Sequence, residues 1–238
     1  MIVFGRNVAR EVIDSKKEIK KVLMSKTFDD KYIIDYLEKN NIKIIKMDKR
    51  DIDKKYKGNH QGIVLEIEDY KYGKLDDLLN DRFIVMLDHL EDPHNLGAII
   101  RTCEAAGVDA IIIPKRRGVE INSTVMKVSA GALNNINIVE VNSLAQTIDK
   151  LKEYGFWIYG TDMDGTTYTD VVYDTRTCLI IGAEGNGISK LVHDKCDFII
   201  SIPMVGKINS LNASVAAGIT IYEVFRQNSE RWYHVKNI

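Results

Sequence analysis

Short apolar runs of strand length alternate with amphipathic stretches of helix length from Arg82 to the end of the chain. Runs that are apolar on both faces and joined by helical crossovers are typical of a parallel sheet with helices on both sides. Ligands usually bind beyond the carboxyl ends of such strands. The last helix is predicted over Leu211 to Gln227. The six predicted strands are FIVMLD (83–88), VDAIIIP (108–114), INIVEV (136–141), FWIYGTD (156–162), TCLIIG (177–182) and DFIISIP (197–203).

The first 70 residues show the same alternation on a smaller scale and predict a small α/β unit. A polar, charged segment containing Gly73 separates this unit from the rest and is the candidate linker. We therefore divide the chain into residues 1–70, a linker at 71–81, and residues 82–238. The predicted elements of the first unit are helices over Asn7 to Ser15 and Asp30 to Lys39, strands over Ile19 to Met24 and Lys43 to Met47, and an alternating strand, GIVLEIE, near Ile63.

The charge balance excludes a strongly basic nucleic-acid-binding protein but leaves a local basic region. The 238 residues are 45% hydrophobic and 28% charged, with a formal charge of -1. Residues 1–70 hold 16 Lys+Arg against 13 Asp+Glu, and residues 43–57 hold seven basic and three acidic residues. Such a stretch attracts phosphate backbones. A solvated helix and loop would have the same composition, so both interpretations stay open.

Membrane, disulfide and metal roles have no support in the sequence. No apolar stretch approaches the roughly 20 residues that span a bilayer, and the mixed, charged start is unlike a signal peptide, so we expect a cytoplasmic protein without a membrane partner. Cys103, Cys178 and Cys196 are widely separated and form no C-x-x-C pair. We interpret all three as small buried hydrophobic residues and expect no metal.

Three polar loops follow apolar strands, although neither a G-x-G-x-x-G nor a P-loop motif is present. In the first loop, Asn95 is a candidate N-cap, and Arg101 on the same helix offers a fixed cation to a phosphate or a developing oxyanion. The second, GAEGNG, places glycines from Gly182 onward around Glu184. The third brings Ser210 and Asn212 near the start of the last helix. A cap, a turn and a surface ion pair would each explain one loop alone, but three together favour a site.

These segments resemble the SpoU branch of the SPOUT methyltransferases, which transfer methyl groups from S-adenosylmethionine to ribose 2′-hydroxyls of RNA. The N-x-G-x-x-x-R-T signature begins at Asn95, the second motif is GAEGNG from Gly182, and the third is IPMVGKINSLNASVA from Ile202. The N-terminal FGRNVAREVI and HQGI segments look like the ribosomal-protein-like RNA-binding extension of bacterial enzymes that modify a 23S rRNA guanosine. The resemblance covers the chain, without a departure at the motif positions.

The resemblance implies properties that periodicity does not. It implies a deep C-terminal trefoil knot, a homodimer with the site at the subunit interface, and S-adenosylmethionine as methyl donor. By this resemblance, the adenosine end of the cofactor is held by backbone around Gly182, Ile202 and Leu211. The catalytic and RNA-facing group comprises Asn95, Arg101, Glu184, Ser210 and Asn212.

A ribose hydroxyl becomes nucleophilic only as it loses its proton, so the site must stabilise negative charge on that oxygen. Arg101 meets this need, whereas a guanidinium with a reference pKa above about 12 is a poor general base. His60, His89 and His94 lie in or beside motifs, but no partner in the sequence singles them out for catalysis. We therefore leave them off the catalytic list.

The resemblance thus implies 2′-O-methylation of a guanosine ribose in 23S rRNA. Ribosome-assembly intermediates are further possible partners. Two alternatives remain: a tRNA 2′-O-ribose methyltransferase, and a catalytically silent RNA-binding factor of ribosome assembly. Bound or titratable S-adenosylmethionine would separate the silent factor from the enzymes.

Overall fold

The computed structural model describes residues 1–183, 185 and 187–236, the last six of these through their backbone only. The chain forms two compact units. The first comprises residues 1–71 and 121–134, and the second comprises residues 72–120 and 135–238. Among the described helices, none combines the length and apolar character that crossing a bilayer requires.

The first unit is built on a four-stranded mixed sheet in the order β1-β4-β2-β3. Strands β2 and β3 pair in parallel, whereas β4 pairs antiparallel with both β1 and β2. All five elements predicted for this unit are confirmed; β1 and α3 were missed as separate elements. The elements are β1 (Ile2–Phe4), α1 (Arg6–Asp14), β2 (Ile19–Ser25), α2 (Lys31–Lys39), β3 (Ile44–Met47), α3 (Lys49–Lys55) and β4 (Ile63–Ile67).

Local hydrogen bonds explain two boundaries in this unit. The side chain of Asp30 accepts from the backbone N–H of Ile33 and caps the start of α2. The buried ring of His60 holds the turn before β4, since its Nδ1 accepts from Gly62 N at 3.1 Å and its Nε2 lies 2.7 Å from Asp53 Oδ1. His60 therefore has a structural role in the HQGI segment.

The second unit contains a six-stranded sheet in which every pair is parallel, in the order β10-β8-β9-β5-β6-β7. The predicted parallel sheet and all six of its strands are confirmed. The strands are β5 (Phe83–Leu87), β6 (Ala110–Pro114), β7 (Asn137–Val141), β8 (Trp157–Thr167), β9 (Thr177–Ile181) and β10 (Phe198–Ser201). The helices of this unit are α4 (Pro93–Ala105), α6 (Leu144–Glu153), α7 (Lys190–His193) and α8 (Ala213–Lys236).

β5 is the first strand of the second unit along the chain, but it lies in the interior of the sheet and not at an edge. The strand order reverses beside it. The chain proceeds from β5 to β6 and β7 on one side, then returns to β8, β9 and β10 on the other. Because all strands are parallel, the loops that follow β5, β8, β9 and β10 emerge at the same edge. The three sequence motifs lie on these loops.

Two segments differ from the division made on sequence. Residues 121–134, placed with the second domain by sequence, belong to the first unit, where helix α5 (Ser123–Ser129) packs against α1 and β1 and buries Val125 and Met126. The linker prediction covered a 3-10 helix, Leu75–Asn80, whose Leu78 is fully buried in the core of the second unit. Leu75 packs against the same core, and the polar composition of the surrounding segment concealed both contacts.

Candidate functional site

A cavity of about 440 Å³ lies at the carboxyl ends of β9 and β10, against the middle of β8 and beside the start of α8. That volume falls within the range of small-molecule sites. Four predicted site residues line it, and what they share is a position on the loops after β9 and β10: Gly182, Ile202, Ser210 and Leu211.

The loop after β9 folds back on itself at the cavity wall. Ala183 and Gly187 exchange backbone hydrogen bonds of 3.1 and 3.2 Å. A Cβ at Gly182 would lie 2.2 Å from the carbonyl carbon of Gly187, so only glycine allows this approach. Gly187 itself has a φ of 61°, in the left-handed region that favours glycine. The glycines thus serve backbone geometry, as the sequence pattern indicated; Glu184 lies outside the described residues.

The far end of this loop is tied to the end of β5 by Asp88, which the sequence analysis did not select. Asp88 is 1% exposed. Its Oδ2 accepts from Ser189 N at 2.6 Å, its Oδ1 pairs with Nδ1 of His89, and its own N–H donates to Ile181 O. A buried carboxylate therefore fixes where the loop rejoins the fold, because each of its oxygens has a partner.

The start of α4 differs from the prediction that Asn95 is its N-cap. Asp92 is the cap, since its side chain accepts from His94 N at 2.9 Å and Pro93 occupies the first turn. Asn95 lies within the helix and is 5% exposed. Its Oδ1 accepts from Asn212 Nδ2 at 3.0 Å, so the structure brings these two predicted site residues into contact.

Asn212 also caps α8. Its Oδ1 accepts from Ser214 N at 3.0 Å, from Ser214 Oγ at 2.6 Å and from Val215 N at 3.4 Å. The alternative that Ser210 caps this helix is wrong, because α8 begins at Ala213, two residues later than predicted. Ser210 is exposed in the loop and faces the cavity instead.

Arg101 is exposed on α4 and is absent from the cavity lining among the described residues. It follows Asn95 by six residues, which corresponds to about 9 Å along a helix axis. Arg101 is not among the buried residues of α4, which lie on either side of it in the sequence. These buried residues are Asn95, Leu96, Gly97, Ile99, Ile100 and Cys103. Its guanidinium is therefore directed away from the core of its own unit.

The lining includes residues that the sequence analysis missed. Thr161, Asp162 and Met163 lie in β8, and Asn209 lies in the loop after β10. The signal for the first three was available, because Thr161 and Asp162 end the predicted strand FWIYGTD and Met163 follows it. The carboxyl end of a parallel strand is where ligands usually bind.

The basic region of the first unit is exposed. Helix α3 packs on the sheet of the first unit through Ile52, its one buried residue. The charged residues of the helix therefore face solvent. All seven basic residues of positions 43–57 are exposed: Lys43, Lys46, Lys49, Arg50, Lys54, Lys55 and Lys57. The surface is thus accessible to a phosphate backbone.

The three cysteines carry no site. Cys103 and Cys178 are fully buried and Cys196 is half-buried, all as free thiols. Burial raises the pKa of the Cys196 thiol to about 12, which makes it a poor nucleophile. Within the described part of the chain, no group of three or more His, Cys, Asp or Glu side chains is arranged to hold a metal ion.

Known families match both units. Residues 82–222 match the SpoU rRNA Methylase family, and residues 2–73 match the family described as RNA 2′-O ribose methyltransferase substrate binding. A Staphylococcus haemolyticus protein described as belonging to the TrmH family of tRNA/rRNA methyltransferases is 41% identical over 241 residues, covering 97% of each chain.

Solved structures share the fold. The SpoU methyltransferase AviRb from Streptomyces viridochromogenes, solved in complex with AdoMet, matches with a TM-score of 0.79 and 25% identity over 97% of this chain and 91% of that chain. The TrmH/SpoU tRNA modifying enzyme of A. aeolicus matches with a TM-score of 0.59 and 32% identity over 66% of this chain and 82% of that chain.

The two family matches and the full-length relative place the protein in the class of RNA methyltransferases, and its parallel sheet with a cavity at the carboxyl edge agrees with that class. The chain belongs to the SpoU rRNA methylase family, which confirms the resemblance seen in its motifs. The knot and the homodimer that the resemblance implies stay predictions.

Proposed function

We propose that the protein transfers a methyl group from S-adenosylmethionine to the 2′-hydroxyl of a guanosine ribose in 23S rRNA. The observation that carries this proposal is the cavity at the carboxyl edge of the parallel sheet, where the glycine loop meets the start of α8 beside the Asn95–Asn212 pair. The RNA substrate follows from the family of both units.

The cavity fits the cofactor by its size and its chemistry. Ile202 and Leu211 offer apolar walls for an adenine ring, while backbone around Gly182 offers hydrogen-bonding groups without a side chain in the way. When bound, S-adenosylmethionine supplies a methyl group activated by a sulfonium cation. The residues of this chain must hold that methyl group in line with the ribose oxygen.

Arg101 is proposed to stabilise the negative charge that develops on the ribose oxygen. A fixed guanidinium suits this task because it stays charged and donates several hydrogen bonds. Asn95, Ser210 and Asn212 would orient the ribose, the cofactor or Arg101 through hydrogen bonds. Glu184, outside the described residues, is proposed to fix Arg101 or the glycine loop.

We further propose that the enzyme is a homodimer in which Arg101 acts in the partner's site. Arg101 is exposed and stands apart from the cavity lining of its own chain. Beside the cavity, the loop after β10 exposes Val205 completely and Ile208 to 74%. Exposed apolar side chains beside a site are typical of surfaces that a partner or ligand covers, and they support a second subunit at this place. We also propose that the second unit contains a trefoil knot and that the protein is located in the cytoplasm.

Ribosomal RNA is favoured over tRNA by the first unit. The match to the A. aeolicus tRNA modifying enzyme covers 66% of this chain, whereas the substrate-binding family match adds residues 2–73 to the catalytic match. The exposed basic residues of positions 43–57 give this unit a surface for phosphates. Relatives described as tRNA/rRNA methyltransferases keep tRNA as the second candidate.

The test is transfer of labelled methyl groups to two purified substrates, undermodified 23S rRNA and bulk tRNA. The proposal predicts label on 23S rRNA alone. Alkaline hydrolysis of that RNA should fail to cleave after one guanosine, because its 2′-hydroxyl is methylated. Label on tRNA alone would establish the second candidate. No label on either RNA, with both RNA and cofactor bound, would favour a silent assembly factor.

A further inference from the structure

The cavity contains a single ionisable side chain among its described lining residues, the carboxylate of Asp162. The other described lining side chains are apolar, hydroxyl or amide groups, or are absent at glycine. Among the described residues, the only charge that this cavity presents to a ligand is therefore negative.

Asp162 is held in place by its neighbours on β8. Its Oδ1 accepts from Met163 N at 2.6 Å, and the adjacent Thr161 donates from Oγ1 to Ile180 O at 3.0 Å, which anchors the strand to β9. A Cβ built on Gly187 would lie 3.4 Å from Asp162 Oδ2, so this second oxygen lies against the backbone of the glycine loop.

Among the described residues, the carboxylate of Asp162 has no cationic side chain as an ion-pair partner. Across the described residues, no lysine, arginine or histidine forms an ion pair with Asp162. Its side chain is half-buried, where water screens charges less than at the open surface. A carboxylate without an ion-pair partner among the described residues attracts a positive ligand group more strongly than a neutral one.

We propose that Asp162 pairs with the sulfonium of S-adenosylmethionine and thereby makes the cavity prefer the methyl donor to the spent product. This inference rests on the proposed function. During transfer, the sulfur–methyl bond breaks with its electron pair left on sulfur, the oxygen–methyl bond forms, and the hydroxyl proton passes to water. The sulfur thus becomes neutral. Asp162 then loses its partner, and S-adenosylhomocysteine binds more weakly than the donor.

The test is calorimetric titration of S-adenosylmethionine and S-adenosylhomocysteine into three proteins. These are the wild type, Asp162→Asn, and Asp164→Asn as a matched control, because Asp164 is an exposed carboxylate on the same strand outside the cavity lining. For Asp162→Asn we expect affinity for S-adenosylmethionine to fall about tenfold, as for loss of one charge pair. Affinity for S-adenosylhomocysteine should change less than twofold. Asp164→Asn should match the wild type with both ligands.

Salt provides a second readout. In the wild type, the preference for the donor should shrink as ionic strength rises, because Coulombic attraction is screened. In Asp162→Asn the smaller preference should be insensitive to salt. A urea unfolding curve for each variant shows whether it is folded, so that a change in ligand affinity is not confused with a loss of folded protein.

Two outcomes would overturn the inference while the wild type still binds the cofactor. Equal losses for both ligands would assign Asp162 to the α-ammonium that they share, and unchanged affinities would leave it without a role in cofactor binding. A wild type that binds neither ligand would overturn the proposed function itself.

Discussion

Asn212 Nδ2 donates a 3.0 Å hydrogen bond to Asn95 Oδ1 and thereby joins the first turns of α8 and α4. The orientation of the Asn212 amide is determined by the cap, because its oxygen already accepts from Ser214 and Val215. One side chain thus starts a helix and holds a residue of the first motif. The two functions are separable by mutation.

Asn212→Ala should lower the free energy of unfolding by about 1 kcal/mol through loss of the cap. Asn212→Ser keeps a capping oxygen but is too short to reach Asn95, so most of that stability should return. Methyl transfer should fall at least tenfold in both variants, because both lose the contact with Asn95. Urea unfolding and single-turnover methylation measure the two effects.

The matched control is Ser143→Ala. Ser143 caps α6 by accepting from Gln146 N at 3.3 Å, away from the described cavity lining. It should lose similar stability and retain activity. Wild-type activity in Asn212→Ser would show that the Asn95 contact is dispensable.

Gly182→Ala should abolish cofactor binding. The added methyl would lie 2.2 Å from the Gly187 backbone, which cannot yield as a flexible side chain would, so the loop must leave the cavity wall. Gly206→Ala makes the same change in an exposed part of the loop after β10, with nothing within 4 Å of the new methyl. Calorimetry should show binding by Gly206→Ala and none by Gly182→Ala. Equal affinities would refute the proposed role of this glycine.

The sheet of the second unit was predictable because its central strands β5, β6 and β9 are buried on both faces. The run FIVMLD is apolar without interruption, and β5 is buried at all five positions. The predicted ends of the helices were less accurate than the predicted strands. Asn95 and Asp92 are both good caps, and Pro93 decides between them because it has no N–H to be capped and suits the first turn.

Other features of the site depend on contacts that one-dimensional patterns cannot supply. Asp162 lies in a strand without a motif, and Asp88 acts through a hydrogen bond to Ser189, 101 residues away. The segment 121–134 mixes apolar and polar residues without a shift in composition, and its packing, with Val125 and Met126 buried, assigns it to the first unit.

Mixing two inactive variants should restore activity if Arg101 acts in the partner's site. Arg101→Ala should reduce the rate of transfer about 100-fold or more while leaving cofactor affinity unchanged, as for removal of an oxyanion donor. Gly182→Ala should be inactive for want of cofactor. A mixed dimer would contain one intact site only when the arginine and the cavity of each site come from different chains.

Co-expression with two affinity tags isolates the mixed dimer for assay. We expect up to half of the wild-type activity. An inactive mixed dimer would place Arg101 in the site of its own chain, and a monomeric wild type in sedimentation would contradict the dimer. Loss of cofactor affinity in Arg101→Ala would reassign the residue to the cavity.

Asp81 should make the protein less stable as pH rises. Burial raises the pKa of its carboxyl from 3.8 to about 6, with the nearby charge of Asp109 adding to the effect. Between these values the folded chain holds a proton that the unfolded chain has released, so stability falls as pH rises through this window and stays lower above it.

Asp81→Asn removes the charge at every pH. Its stabilising effect should therefore be larger at pH 7.5 than at pH 4.5, with a difference on the order of 1 kcal/mol. Asp35→Asn, at an exposed carboxylate on α2, is the control and should show no such difference. Equal effects of Asp81→Asn at both pH values would contradict the assignment.

The most direct test of the central claim is a map of ribose methylation across all RNAs of cells that lack this gene. The account predicts that one guanosine of 23S rRNA loses its 2′-O-methyl group. The wild-type gene should restore that group, and the Arg101→Ala gene should not. An unchanged 23S rRNA map, or a loss confined to tRNA, would contradict the account.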